Sequence, residues 1–240
     1  MATAPLRLES AVLGAQLELT DIEGRMPYSS NATLLARSED GRLWIYKPEQ
    51  GENPLWDFTW RTLAKREVLA YEMARAMGLD LVPETLEAEG PLGPGSAQAF
   101  VEEDLEFDLR TLFVPTLDPR LWPFAVLDVI CNNADRKLGH LIRTVSQKQL
   151  WAIDNGLTFH HEPKLRTVLW GFAGQPIPDS LRASLTAAQT ALETGLWMRI
   201  SDLLSPREAD AVSERLKELI IRPQHPHPPE DRPAIPWPLW

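Results

Sequence analysis

The sequence has one cysteine, Cys131, so it cannot form an intrachain disulfide. A single thiol in 240 residues is typical of proteins from a reducing compartment, and it favours a cytoplasmic location. The chain also lacks a basic segment followed by an apolar core at its start, and no apolar run approaches the roughly 20 residues of a membrane span. We therefore expect neither a signal peptide nor integral membrane association.

Positive charge is scarce as well, with 24 Lys and Arg residues against 34 Asp and Glu residues and a net charge of −10. This balance disfavours a polybasic surface, and we expect no nucleic-acid binding. The sequence contains neither of the familiar glycine-rich phosphate loops, and it has no serine nucleophile elbow. Because none of these motifs is present, the function has to be inferred from individual acidic and basic residues.

The hydrophobic content of 44% is sufficient for a globular core. Periodicity predicts, in order, strands at 16–20, 32–37 and 43–47, a helix at about 58–77, and strands at 85–89 and 97–102. Beyond an acidic connector it predicts helices at about 119–131, 179–193, 196–204 and 205–221, with one hairpin of strands 141–145 and 149–153. This order indicates an α+β fold with two lobes. The predicted division is an N-lobe of residues 1–103, a C-lobe of residues 104–222 and a proline-rich tail of residues 223–240.

Two acidic residues lie in polar loops at the open end of the predicted hairpin. Asp135 is in the loop Cys131–His140, and Asp154 is in the turn Ile153–Gly156. The hairpin brings both carboxylates beside one cavity, which is a common way to hold a divalent metal and a reacting hydroxyl. Taken singly, each is equally well explained as a turn residue.

Lys47 and Glu67 form a second candidate pair. Lys47 ends a strand whose alternation puts Leu43 and Ile45 on its own face. Glu67 falls inside the apolar stripe of the following helix, and a buried carboxylate needs a partner. Lys47 is the obvious partner, although Glu67 could instead extend to the surface.

These four residues suit phosphoryl transfer, which requires cations on the phosphates, a bound metal and a group that orients the acceptor hydroxyl. Lys47 would contact nucleotide phosphates and be held by Glu67, while Asp154 would bind the metal and Asp135 would position or deprotonate the acceptor. Backbone N–H groups at the tip of the first hairpin would cover the phosphates. The residues at that tip are Ser29, Ser30 and Asn31.

Five short motifs in this order resemble the atypical kinases of the phosphatidylinositol 3-/4-kinase superfamily. The likeness is greatest to the type II phosphatidylinositol 4-kinase and HipA-like branch and to small bacterial phosphatidylinositol-kinase-related proteins. It covers roughly residues 15–205. The motifs are Tyr46-Lys47-Pro48, Arg66-Glu67 in a helix ending Met77-Gly78-Leu79, Val82-Pro83, Asn133-Ala134-Asp135-Arg136 and Ile153-Asp154-Asn155-Gly156-Leu157.

The resemblance implies a bilobal protein-kinase-like fold, with a small antiparallel sheet and one helix in the N-lobe and a catalytic hairpin in a mainly helical C-lobe. It implies transfer of the γ-phosphate of ATP, with Mg²⁺ or Mn²⁺, to a hydroxyl of an unknown substrate. Lys47, Glu67 and Asp135 take the catalytic roles, and Asp154 takes that of the metal-binding aspartate. The connector Val101, Glu102 and Glu103 becomes the hinge that carries adenine.

One position departs from this family. His140 stands where a second metal ligand is usually asparagine, and Mg²⁺ prefers oxygen to imidazole nitrogen. Either the metal geometry differs and favours Mn²⁺, or Asn132 or Asn133 substitutes, or activity is weak. A pseudokinase that binds nucleotide or a protein partner without turnover is therefore the alternative function.

Three other interpretations stay open from the sequence. His140, His160, His161 and Cys131 could form a zinc site, although their spacing is irregular. The proline-rich tail holds seven prolines and could contact its own domain or a partner, as in a protein-interaction module. His160, His161, Lys164 and Arg166 could receive an anionic substrate, or they could lie in a solvated loop.

Overall fold

A computed structural model describes residues 14–27 and 31–240 of the chain. Within these ranges the first half contains five strands and one α-helix, and the second half contains one short hairpin and four α-helices. The first-half elements are β1 (Gln16–Arg25), β2 (Leu34–Ser38), β3 (Leu43–Pro48), α1 (Leu63–Ala76), β4 (Thr85–Gly90) and β5 (Gly93–Ala99). The second-half elements are α2 (Trp122–Cys131), β6 (Leu141–Arg143), β7 (Leu150–Ala152), α3 (Arg182–Ala191), α4 (Trp197–Leu203) and α5 (Pro206–Ile221). The predicted α+β class is confirmed.

The five N-terminal strands close into a barrel in the order β1-β2-β3-β5-β4. Four of the pairings are antiparallel, as the sequence predicts, but β1 pairs in parallel with β4 through residues 16–18 and 87–89. The predicted small antiparallel sheet is confirmed for these four pairings, and the parallel β1–β4 pairing that closes the barrel was not predicted. Closure gives each strand a partner on both sides, so the barrel presents no open edge.

Strand β3 points its alternate side chains to opposite sides. Trp44 and Tyr46 are fully buried inside the barrel, so Lys47 lies on the other face. Next to Lys47, β5 approaches closely at Gly95. A Cβ atom at Gly95 would lie only 2.3 Å from the Lys47 carbonyl oxygen, so this pairing requires glycine. The predicted start and end of this fifth strand, 97 and 102, are wrong, because pairing begins at Gly93 and ends at Ala99.

Helix α1 forms from residues with high helix propensity, and it ends where Gly78 adopts a left-handed conformation (φ +70°). Leu79 N–H then bonds to the Ala74 carbonyl at 3.1 Å. This confirms Gly78 as the predicted helix terminus. The apolar side chains of α1 pack in the same core as α2, α3 and α5, whereas the barrel has a core of its own. The helix that carries Glu67 is therefore fixed to the C-terminal half.

Helix α2 packs against α1 and α5, and its apolar residues are almost all buried. Ser205 caps α5 by accepting the Glu208 N–H, as the predicted capping box requires. Between α3 and α4 a π-helical turn, Leu192–Leu196, replaces the predicted break, with Gly195 at φ +155°. Among the described residues, no helix combines the length and the apolar character that crossing a membrane requires.

Candidate active site

Lys47 lies between two carboxylates that come from different halves of the chain. Its Nζ is 2.5 Å from Glu67 Oε1 on α1 and 2.8 Å from Asp154 Oδ1 in the turn after β7. Burial opposes the charged ammonium, but the two carboxylates outweigh it and raise the pKa of Lys47. The structure therefore brings together three of the residues that the sequence singles out.

Glu67 also reaches the metal-side turn directly. Its side chain is 4% exposed, and its second oxygen, Oε2, accepts the Asn155 N–H at 2.8 Å. Burial raises the pKa of Glu67, while Lys47 and the Asn155 N–H favour the carboxylate. The alternative in which Glu67 extends to the surface is wrong. One carboxylate thus fixes both the strand lysine and the Asp154 turn.

Asp154 occupies a left-handed backbone conformation (φ +55°) and is 53% exposed at its side chain. Lys47 holds the pKa of Asp154 well below its usual range. Its second oxygen, Oδ2, lies 3.3 Å from His140 Nε2. An ionised and accessible carboxylate beside an imidazole nitrogen is a donor set that fits a divalent cation accepting both oxygen and nitrogen.

His140 is held so that its Nε2 faces Asp154. Burial lowers the pKa of His140 to about 4, so the ring is neutral near pH 7 and keeps a lone pair. Its Nδ1 is buried and makes no hydrogen bond within the described part of the chain. The 3₁₀ turn Leu138–His140 and a bond from Ile153 N–H to the His140 carbonyl (2.9 Å) connect it to the Asp154 turn.

Asp135 lies in the loop Cys131–His140, which also contains His140. It pairs with Lys137, a residue that the sequence patterns did not indicate. Lys137 Nζ is 3.1 Å from Asp135 Oδ2, and both side chains are about four-fifths buried (17% and 21% exposed). Burial raises the pKa of Asp135, Lys137 counteracts this rise, and the charge of Asp154 reinforces it. Lys137 follows the predicted catalytic aspartate by two positions, a spacing that could have identified it.

Beneath these residues, Arg136 forms a buried network that sequence reasoning missed. The guanidinium bonds to both Asp128 oxygens (3.0 and 3.2 Å), to the Ile153 carbonyl (2.9 Å) and to Asn155 Oδ1 (2.5 Å). Arg136 and Asp128 are each 1% exposed. This network joins the loop of Asp135 to the turn of Asp154, so it fixes the two acids relative to one another.

The other predicted ligands lie further from this centre or have other partners. Asn133 donates its side-chain N–H to Asp128 (3.1 Å) and accepts the Asp135 N–H (2.9 Å), so both ends of its amide are engaged within the loop. The Asn132 amide is likewise engaged with His160, Glu162 and Lys164. Metal binding by Asn133 stays a prediction without support from this arrangement.

The predicted phosphate loop is only partly described. Ser29 and Ser30 lie outside the described residues, and Asn31 Oδ1 accepts the Asn53 N–H at 2.8 Å. The connector Val101, Glu102 and Glu103 leaves β5 and meets the β6–β7 hairpin, where the Glu102 carbonyl accepts the Val145 N–H (3.2 Å). Nucleotide binding by these residues stays a prediction.

The histidine and lysine residues after the Asp154 turn do not form an open cationic surface. His160 is buried edge-on to Phe58, and Lys164 pairs with Asp57 at 3.0 Å. His160, His161 and Glu162 bring ligand atoms within 4.8 Å of each other, but the two rings stack at 22° and 4.4 Å. Because nearly parallel rings do not converge their lone pairs on one ion, the arrangement does not favour zinc. His140 lies with Asp154 instead.

No protein-family model matches the sequence. Protein Rv2133c of Mycobacterium tuberculosis (strain ATCC 25618 / H37Rv) is 38% identical over 269 residues, an alignment that covers 97% of this chain and 95% of that protein. The chain belongs to the Rv2133c family. This relationship extends over both halves and the candidate site.

The fold of this Rv2133c-family chain is similar to that of the Helicobacter pylori proinflammatory kinase CtkA. The two structures superpose with a TM-score of 0.53 at 13% sequence identity, over 87% of this chain and 95% of the other. The similarity supports a kinase-like fold, with an N-terminal sheet and a helical C-terminal region, as the sequence predicts.

Proposed function

We propose that the chain is an ATP- and divalent-metal-dependent phosphotransferase that acts on a hydroxyl group. The observation that carries this proposal is the position of Lys47 Nζ, bound at once to Glu67 (2.5 Å) and Asp154 (2.8 Å). A lysine fixed by a helix carboxylate, next to an accessible acid, provides a cation for phosphates and a ligand for their metal. The kinase-like fold supports the same conclusion.

In this mechanism the acceptor hydroxyl oxygen attacks the γ-phosphorus of ATP, and the bond from phosphorus to the ADP oxygen breaks. Asp135 accepts the hydroxyl proton. Its burial, which raises its pKa, favours this role, and the ammonium of Lys137 favours the ionised form of the carboxyl group. Lys47 exchanges its bond to Asp154 for a phosphate oxygen while Glu67 keeps it in place.

Asp154 and His140 are the residues that would hold the metal ion. The ion supplies charge neutralisation at the phosphate oxygens. Since imidazole nitrogen suits Mn²⁺ better than Mg²⁺, His140 makes Mn²⁺ the better candidate of the two. Asp154, ionised and half exposed, is already suited to binding a cation without proton release.

The finer assignments follow as part of the same proposal. We place the chain in the phosphatidylinositol 3-/4-kinase superfamily, with lobes divided near residue 103 and adenine bound along Val101–Glu103. The connector after β5 supports this division, because its Glu102 carbonyl accepts the N–H of Val145, which follows β6 in the C-terminal half.

The test is nucleotide binding followed by phosphate transfer. We expect ATP with Mn²⁺ to raise the melting temperature of the wild-type protein, and Lys47→Met to abolish that rise. With labelled ATP, transfer or autophosphorylation should fall at least about 100-fold in Asp135→Asn and Asp154→Asn. Asparagine is the matched replacement at Asp154, because it tolerates a left-handed backbone. ATP binding that is absent, or that persists unchanged in Lys47→Met, would contradict the proposal.

A pseudokinase is the second candidate, and one observation favours it. Both Asp154 oxygens are engaged, Oδ1 with Lys47 and Oδ2 with His140. If these contacts persist when nucleotide binds, the metal cannot take its place. Under this alternative ATP raises the melting temperature but no labelled phosphate is transferred, to protein or to any alcohol offered.

A further inference from the structure

The C-terminal tail, residues 223–240, folds back along the C-terminal half. Its first part is anchored by His225, which is 1% exposed and lies edge-on to Trp122 and Trp170 (ring centroids 6.1 and 5.6 Å away). The His225 carbonyl accepts the Gly174 N–H, and its own N–H donates to Gln175, both at 3.0 Å. These contacts attach the tail to the segment that follows the catalytic turns.

A second anchor lies nearer the loop Cys131–His140, which contains Asp135 and is called the catalytic loop below. The Ala234 carbonyl accepts two hydrogen bonds, one from Thr167 N–H (3.1 Å) and one from Trp170 Nε1 (2.7 Å). Thr167 is itself bonded through Oγ1 to Asp128 (3.2 Å), the acid that pairs with Arg136. The tail is therefore connected to the buried network under the active site.

The last residues of the tail reach the catalytic loop itself. The Leu239 carbonyl accepts the Leu138 N–H at 2.9 Å. The Trp240 ring covers Gly139, with its Cε3 atom 3.6 Å from where a Cβ of that residue would lie. A Cβ atom at position 139 would therefore be in ordinary van der Waals contact with the indole.

This contact falls on the part of the loop that carries His140. The turn Leu138–His140 is a single 3₁₀ turn between Lys137, which pairs with Asp135, and His140, which faces Asp154. Single 3₁₀ turns have weaker internal hydrogen bonds than α-helices, so external partners decide how rigid they are. The Leu138 N–H obtains its partner from the tail.

We propose that the end of the tail positions the catalytic loop in cis, through Leu239 and Trp240, which hold the Leu138–His140 turn. The effect of this restraint on catalysis rests on the proposed phosphotransferase function, whereas the restraint itself does not. Leu239 and Trp240 are positioning residues in this scheme: they keep Lys137 directed at Asp135 and His140 directed at Asp154. The tail is thus part of the active-site support.

Hydrogen–deuterium exchange of the Leu138 amide tests the restraint without any activity. In the intact 240-residue chain this amide should be protected, and removal of residues 239 and 240 should speed its exchange by about tenfold or more. Trp240→Ala should produce a smaller acceleration. Trp237→Ala is the matched control, because this tail tryptophan is 87% exposed, and it should leave exchange unchanged.

Amides of β3 and α1 serve as the internal reference, and their exchange should be the same in all four proteins. Unaltered exchange at Leu138 after the deletion would overturn the proposal, and so would an equal acceleration throughout the chain, because the tail would then support the whole fold rather than the loop.

Steady-state kinetics test the consequence for catalysis. We expect the deletion to lower kcat by about tenfold while the KM for ATP changes less than about twofold, since Lys47 and Glu67 do not contact the tail residues concerned. Faster Leu138 exchange with unchanged kcat would overturn the positioning role. If the wild-type protein transfers no phosphate, the proposed function fails while the exchange result still decides whether the tail restrains the loop.

Discussion

Two cations, Arg136 and Lys47, contact the same turn, Ile153–Gly156, in different surroundings. Arg136 is 1% exposed and all its contacts are internal: Asp128, a carbonyl and the Asn155 amide. The Lys47 side chain is 21% exposed, and one of its two partners, Asp154, is 53% exposed. One pair is enclosed by protein, and the other is open on the side where a ligand can bind.

This difference in exposure distinguishes the residues that fix the geometry of the site from the residues that can bind a ligand. A buried ion pair with all its hydrogen bonds satisfied has little freedom to change partners, because any change would leave a charge without solvation. A half-exposed pair can exchange a carboxylate for a phosphate at little cost, since water and ligand replace what is lost. We therefore infer that Arg136 fixes the geometry and that Lys47 and Asp154 carry out the binding.

The largest effect is expected from breaking the buried pair. Arg136→Met leaves Asp128 charged and without its cation, which costs about 3–5 kcal/mol of the free energy of unfolding. Denaturant unfolding followed by circular dichroism measures this cost. The control is Arg37→Met, which removes an exposed pair with Glu23 (2.7 Å; side chains 40% and 39% exposed) and should cost no more than about 1 kcal/mol. Similar costs for the two variants would show that the buried pair stabilises the fold no more than an exposed pair does.

A smaller effect is expected at the metal side, where His140 provides nitrogen. His140→Asn replaces the imidazole with an amide oxygen donor, so the preference for Mn²⁺ over Mg²⁺ should fall by about tenfold. Competition titrations of the two ions in the presence of ATP measure this preference. Electron spin-echo spectroscopy of bound Mn²⁺ should show coupling to a ¹⁴N nucleus in the wild type and lose it in the variant. Coupling that survives in His140→Asn would exclude His140 as the ligand.

Much of this site can be predicted from local patterns. Strand alternation places Lys47 on the face opposite Trp44 and Tyr46, and the helical stripe marks Glu67 as a carboxylate that needs a partner. Both patterns involve only a few neighbouring residues, so they can be recognised without knowledge of the tertiary fold. The same approach explains why the helix end at Gly78 was predictable.

The buried network and the tail depend on contacts between distant residues, which local patterns do not encode. Arg136 lies in a loop, where an arginine is usually exposed. The available signal was Asp128, the one charged residue in the apolar sequence of α2, which required a buried cation. The proline-rich composition of the tail indicates an extended chain but not its course, which depends on the aromatic site around His225.

The smallest effect is expected at Lys137. Its side chain is 17% exposed, a value between those of Arg136 (1%) and Lys47 (21%). Its ammonium, 3.1 Å from Asp135, favours the carboxylate and so opposes the rise in the pKa of Asp135 that burial causes. Lys137→Met removes that opposition, so the pKa of Asp135 should increase further. Since Asp135 must be ionised to accept the hydroxyl proton, the acidic limb of the kcat–pH profile should move to higher pH by the same amount.

The matched control removes an equal charge elsewhere, at Lys148, which is exposed in the β6–β7 turn. Lys148→Met should leave the acidic limb in place, because an exposed charge in that turn is screened by solvent. A limb that stays in place in Lys137→Met while kcat is unchanged, or one that moves to lower pH, would show that a group other than Asp135 accepts the proton. If instead kcat falls at all pH values without a shift, Lys137 acts on the transferred phosphate, and it belongs with Lys47 rather than with the groups that set the geometry.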